Sequence, residues 1–229
     1  MGLIDAFTFY NEIHILEKRL ELLKPYVDYF VLVEADKTHA GNEKRLYFNE
    51  IKDKFTMYDI RHVIVNDMPE GDDPWLREKY QRECILKGIS ELASDEDRIM
   101  ISDVDEIPMM CRIPMHISDT IALHMYMFEY SLEYMCNIEP WIGTVITNVK
   151  DVRIHGPNFF RSKRWGLPIV PYCGWHCSSF VDVGNKVREY AHHREVTTDV
   201  DYDMCVSNGI HFDGTTLLTK TPSDVPLPW

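Results

Sequence analysis

An α/β fold, a mostly parallel sheet flanked by helices, is what this sequence predicts, on three observations. Short apolar runs alternate with segments of helical period over residues 1–110. The run Tyr29-Phe30-Val31-Leu32-Val33 is apolar throughout, as in a strand covered on both faces. Polar residues follow directly on the ends of several runs, where open parallel sheets bind ligands.

Ile4 to Phe9 reads as the first strand. Ile13, Leu16, Leu20, Leu23 and Val27 then form a helical stripe, with Glu12, Glu17, Lys18, Arg19 and Glu21 mostly off it and Pro25 as the stop. Tyr29–Val33 and His62–Val65 give two more strands. Leu76, Tyr80, Cys84 or Ile85, and Ile89 mark one helix from about Trp75 to Leu92, and Arg98–Ile101 is a fourth strand. Beyond residue 110 the alternation weakens. Ile121–Tyr134 suggests one or two strands, with others at Thr144–Val149 and Gly174–Val181. With no linker or repeat, the 229 residues are expected to form one domain.

Hydrophobic residues are 45% of the chain and charged ones 27%, a globular composition. The net charge of −13 argues against nucleic acid or an anionic membrane as the main partner. An anionic ligand would need local neutralisation, by a metal or by placed Arg and Lys. The six cysteines show no disulfide pattern, and no signal peptide or long apolar run is visible. These features predict free thiols and a soluble, cytoplasmic protein with no membrane span. Cys173-x2-His176-Cys177 lacks a second ligand pair and makes a poor zinc site.

Asp103, Asp105 and Glu106 follow the apolar run Ile99-Met100-Ile101. Carboxylates at this density repel one another unless a cation, a hydrogen-bond network or water offsets the repulsion. Asp103 and Asp105 project to one side of extended chain and can share a hard ion, Mg²⁺ or Mn²⁺, whose shell is completed by water and phosphate oxygens. A solvated turn is the plain alternative. An EF-hand loop is excluded because Pro108 stands where its glycine belongs. A dehalogenase-type phosphatase would carry the pair on its first strand, not its fourth.

"DAFTFYNEIHILEKRL" (5–20), "VDYFVLVEADKTHAG" (27–41), "KYQRE" (79–83), "ISDVDEIP" (101–108) and "GWHCSSF" (174–180) together resemble the family 17 glycosyltransferases. The resemblance covers roughly residues 5–195. It implies a GT-A-like (Rossmann-like) mixed sheet, a nucleotide-sugar donor (UDP-N-acetylglucosamine in the mammalian member), a glycan or glycoprotein acceptor and inversion at the anomeric carbon. Residues 1–110 would be the nucleotide-sugar half and 111–229 the acceptor and catalytic half. Asp105 is the expected direct metal ligand, with Asp103 on the ribose or a metal-bound water and His176 on metal or diphosphate. Asn11, Glu12 and Glu34 would face the nucleoside. Arg82 would pair with the first carboxylate, Asp103, or reach the diphosphate, a surface pair with Glu78 being the plain alternative. Trp175 and Trp165 are stacking candidates, and Arg161, Lys163 and Arg164 a loop over the diphosphate; core aromatics and a solvated loop are the alternatives. Glu195, Asp182 and Glu139 are candidate general bases, Glu195 first because "HHRE" resembles a family H-x-E element. Mammalian members are membrane-anchored, and this sequence shows no anchor. An acceptor other than the bisected N-glycan core is therefore expected. A phosphoryl-transfer enzyme using Asp103 and Asp105, and a carbohydrate-binding protein without turnover, remain as other classes.

Overall fold

The computed structural model describes residues 2–89, 93–114, 119–137, 140–191 and 200–229. Its strands are β1 (Leu3–Phe9), β2 (Tyr29–Ala35), β3 (Ile60–Val65), β4 (Arg98–Asp103), β5 (Glu106–Pro108), β6 (Ile121–Glu129), β7 (Tyr134–Met135), β8 (Trp141–Asn148), β9 (Ile169–Val170), β10 (Gly174–Ser178) and β11 (Thr219–Lys220). The helices are α1 (Ile13–Leu23), α2 (Tyr47–Ile51), α3 (Pro74–Glu83), α4 (Ile85–Ile89), α5 (Val149–His155), α6 (Pro157–Lys163), α7 (Val183–Glu189) and α8 (Tyr202–Asn208).

The expected α/β class is the one the chain adopts. β3, β2, β1 and β4 lie side by side, all parallel. β8 then joins β4 antiparallel and β6 joins β8 antiparallel, so one mixed sheet runs through both halves. β6 therefore points the same way as β4, and β10 pairs parallel with β6. The chain moves outward from β1 through β2 to β3 and returns to β1's other side as β4. This reversal opens a crevice between the carboxyl ends of β1 and β4.

Alternation along the strands explains the layers. Val31, Val33, Ile99 and Ile101 face one core with Ile85 and Ile89 of α4. Phe7, Phe30, Leu32 and Met100 face the other with Leu16 and Leu20 of α1. Gly88 permits the close seat of α4, since a Cβ there would lie 2.4 Å from Val31 Cγ1.

Three expectations need correction. The helix expected over 75–92 is two pieces, α3 and α4, broken at Cys84; its expected end at Leu92 lies outside the described residues. Leu76 is exposed, and α3 instead buries Arg77, Gln81 and Arg82, because its inner face lines the crevice rather than the core. Arg19, expected on the polar side of α1, is fully buried beneath the acidic loop. No helix among the described residues is long and apolar enough to cross a membrane.

Candidate active site

The acidic loop leaves β4 at the crevice and is shaped from below by one residue. Arg19 donates from Nε and Nη2 to the two carboxylate oxygens of Asp5 (2.8 and 2.6 Å) and from Nη2 to Ser102 Oγ (2.6 Å). Its Nη1 donates to the carbonyls of Asp103 (3.1 Å), Val104 (3.2 Å) and Glu106 (2.7 Å). A buried arginine that satisfies three carbonyls of one turn fixes that turn's path.

Above the turn, the three acids take separate roles. Asp103 accepts from Thr8 Oγ1 (3.0 Å) and Arg82 Nη2 (3.2 Å) on Oδ1, and from Arg161 Nη2 (2.9 Å) on Oδ2. Burial works against its charge, but Arg161 and Arg82 hold its pKa far below the ordinary carboxylate range. Glu106 is fully buried; it accepts from both Arg161 terminal nitrogens and from Trp141 Nε1 (3.0 Å). Asp105 faces His176 Nε2 and Lys186 Nζ, each 3.5 Å from Oδ2. Against burial, His176 and Lys186 lower its pKa.

A cavity of about 730 Å³ opens over these groups. It is lined by Lys37, Lys44, Arg82, Arg161, Arg164 and Lys186 and by five carboxylates, Glu12, Glu78, Asp103, Asp105 and Glu189. Cations thus outnumber acids here, in a chain of net charge −13. Trp141 stacks on His176 at 4.2 Å and also lines the wall. Glu12 accepts from the Tyr10 and Asn11 amides (3.3 and 3.0 Å); burial, then Asp105, raise its pKa, with Lys186 working against them.

The sequence-predicted residues divide accordingly. Glu12, Arg82, Asp103, Asp105 and His176 meet at the cavity, as do Arg161 and Arg164. Arg161 is not part of a mobile loop: it sits buried on α6 and also donates to the Gly143 carbonyl (2.7 Å). Lys163 and the half-exposed Trp165 are not among the lining residues. Glu34 lies off the cavity, fully buried, where it accepts from the Phe48 and Asn49 amides of α2 and contacts His62 Nε2 (3.0 Å). Trp175 is a core residue whose Nε1 donates to the Pro226 carbonyl (2.8 Å). Asn11 is absent from the lining, its Oδ1 buried. Asp182 caps α7 through the Asn185 amide (2.9 Å). Glu139 and Glu195 lie outside the described residues.

Lys186, Lys44 and Trp141 were not singled out from sequence. Lys44 carried a signal, a lysine nine residues past a buried strand, but nothing local marks Lys186 or Trp141.

Among the described residues no three His, Cys, Asp or Glu side chains gather to hold an ion by themselves. The Cys173–Cys177 segment does not form a zinc site: Cys173 Sγ donates to the Val170 carbonyl (3.0 Å), and burial pushes its pKa up to about 12. Asp103 has both oxygens committed to Thr8 and two arginines. Asp105 and His176 do fit as a pair, with two unlike donor atoms 3.5 Å apart at a cavity wall. An ion held by two protein ligands draws the rest of its shell from water and ligand oxygens. None of the six cysteines is in a disulfide.

Fold and site define a mixed α/β protein with a cation-rich crevice at the strand-order reversal. The model of Glycosyltransferase family 17 matches residues 2–209, and the chain belongs to that family. Beta-1,4-mannosyl-glycoprotein 4-beta-N-acetylglucosaminyltransferases from Homo sapiens and Rattus norvegicus are each 26% identical to it, over 76% of this chain. The chain spans about 40% of the length of these curated relatives. Among solved structures, the glycosyltransferase GlyE of Streptococcus pneumoniae TIGR4 is similar over 71% of this chain and 37% of its own (TM-score 0.36, 14% identity). The catalytic domain of Drosophila beta1,4galactosyltransferase 7 is similar over 75% of this chain and 66% of its own (TM-score 0.35, 11% identity).

Proposed function

We propose that this chain is an inverting glycosyltransferase that moves N-acetylglucosamine from UDP-N-acetylglucosamine to a hydroxyl of a glycan. The observation that carries the proposal is the gathering of basic side chains, Lys44, Arg164 and Lys186 among them, at the crevice of an otherwise acidic chain. A nucleoside diphosphate is the anion such a crevice suits, and family membership supports sugar transfer.

The transition state is oxocarbenium-like, with negative charge growing on the departing diphosphate. Lys44 and Arg164 line the cavity, Arg164 held by the Ile142 and Arg161 carbonyls, and would meet that charge with little reorganisation. Asp105 and His176 would hold a divalent ion; the mixed oxygen and nitrogen set favours Mn²⁺ over Mg²⁺. When bound, that ion supplies Lewis-acid stabilisation of the leaving diphosphate. Glu12 and Trp141 would bound the donor on two sides. The general base is proposed as Glu195 or Glu139, since the third candidate, Asp182, caps α7. Phosphoryl transfer through Asp103 is disfavoured, because a nucleophilic carboxylate cannot stay doubly paired with arginine.

Incubation with UDP-N-acetylglucosamine, Mn²⁺ and a panel of glycans, with UDP release as readout, tests this. Metal-stimulated UDP release that grows with one acceptor is expected. Hydrolysis of a phosphate monoester without UDP release would overturn the proposal, and UDP binding without turnover would favour a carbohydrate-binding role.

A further inference from the structure

Glu129 ends β6 on the same sheet edge as the acidic loop, and Ser178 of β10 is its register partner. It is fully buried, and neither carboxylate oxygen has a hydrogen-bond partner among the described residues. A buried carboxylate without partners is costly. The backbone around it is strained as well. Tyr130 (φ 67°) and Ser179 (φ 56°) both occupy the left-handed region, at the ends of neighbouring strands. Ser178 and Ser179 line the cavity.

Lys186 lines the same cavity as Met127, which shares Glu129's face of β6 two residues back, and it faces a conflict there. Its Nζ is 3.5 Å from Asp105 Oδ2, the oxygen that also faces His176 at 3.5 Å. That separation is longer than a good charged hydrogen bond, so the ammonium is loosely held. A divalent ion bound to Asp105 would repel it at close range. Burial opposes the Lys186 charge; Asp105 and then Glu129 outweigh it and raise its pKa.

We infer that Glu129 is a positioning residue: it receives the Lys186 ammonium when Asp105 turns to the divalent cation of a nucleoside-diphosphate donor. The idle carboxylate and the crowded one are two stations for a single cation. Lys186 stays charged and paired throughout, and Asp105 is released without exposing a bare ammonium to the incoming ion. This inference rests on the metal-dependent donor site proposed above.

Mn²⁺ binding, read from the electron paramagnetic resonance of free Mn²⁺ with UDP present, tests it without turnover. Four proteins are compared: wild type, Lys186→Met, Glu129→Gln and the double variant, each checked for a cooperative metal-free melt. Lys186→Met should tighten Mn²⁺ binding about tenfold and Glu129→Gln should weaken it about tenfold, with the second effect gone in the Lys186→Met background. Should Glu129→Gln fail to fold, Glu129→Asp replaces it. Equal weakening by the Glu129 variant in both backgrounds, or weaker binding in Lys186→Met, overturns the inference while leaving the metal site standing. Absence of Mn²⁺ binding in all four, with UDP still bound, overturns the metal site and the inference together.

Discussion

Arg161 holds Glu106 with both terminal nitrogens, Nη1 at 2.9 Å from Oε2 and Nη2 at 3.0 Å from Oε1, and the same Nη2 lies 2.9 Å from Asp103 Oδ2. One side chain of α6 thus ties β5 to the end of β4. Two acids of the DVDE run are neutralised inside the protein, and Asp105 is left to face the cavity. The crowding that makes the motif conspicuous in sequence is resolved by a residue more than 50 positions away.

Arg161→Met should therefore destabilise the fold by roughly 3–5 kcal/mol, the usual cost of removing one partner from a buried ion pair. Arg161→Lys should recover only part of this, because a point charge cannot reproduce a planar fork spanning Glu106, Asp103 and the Gly143 carbonyl. Urea unfolding of the three proteins checks the order. Equal stability of wild type and Arg161→Lys would show that charge alone matters.

Glu34 was expected to touch the nucleoside, and the structure places it under α2 instead. Glu34→Ala strips the Phe48 and Asn49 amides of their acceptor and removes the carboxylate facing His62 and Lys44. A loss of about 2–4 kcal/mol of stability is expected, from charged hydrogen bonds worth roughly 1.5–3 kcal/mol and the packing lost with them. UDP affinity by calorimetry should be unchanged at a temperature where the variant is folded. A selective loss of UDP binding at full stability would return Glu34 to the site.

These two residues mark where sequence reading works and where it stops. The strand ends at Phe9, Glu34 and Asp103 were legible because an apolar run followed by a polar residue has a simple physical meaning. Which way an acid at a strand end turns was not. Glu34 and Asp103 look alike in sequence, yet one caps a helix and the other pairs with arginines across the crevice. Arg19 was misplaced for a related reason: helix periodicity sends charges to solvent, and only Asp5, an acid inside an apolar strand, hinted at a buried partner. α3 inverts the same rule, with Leu76 outside and Arg82 inside. Lys186 comes from a helix whose position depends on long-range packing, which no local pattern reports.

Arg19 allows stability to be separated from site geometry. Arg19→Met should cost roughly 3–5 kcal/mol, since it strands the Asp5 carboxylate in the core. Adding Asp5→Asn should return much of that stability. It should not restore UDP affinity, because the carbonyls of Asp103, Val104 and Glu106 still lack their donor and the turn is free to relax. If the double variant regains both stability and UDP binding, Arg19 serves the core and not the loop.

The pH dependence of stability should show two acid-side losses with separable origins. His39 donates from Nε2 to Gln81 Oε1 (2.9 Å), and burial lowers its pKa below the usual value of about 6.5, Glu78 and Gln81 notwithstanding. The unfolded chain then takes up the proton first as pH falls, so stability drops with decreasing pH once below about 6.5. Asp103 behaves alike at lower pH: its folded pKa is depressed by Arg161 and Arg82 against the effect of burial, so its contribution is full above an unfolded value of about 3.9 and is lost as pH falls below it. Glu12 contributes the opposite slope, because its raised pKa makes the folded state hold a proton longer as pH rises. Urea midpoints from pH 3 to 8 for wild type, His39→Gln and Asp103→Asn separate the terms. His39→Gln should flatten the profile just below about pH 6.5, and Asp103→Asn only below about pH 4. A His39→Gln profile parallel to wild type through the upper window would mean that His39 titrates alike in the folded and unfolded chain.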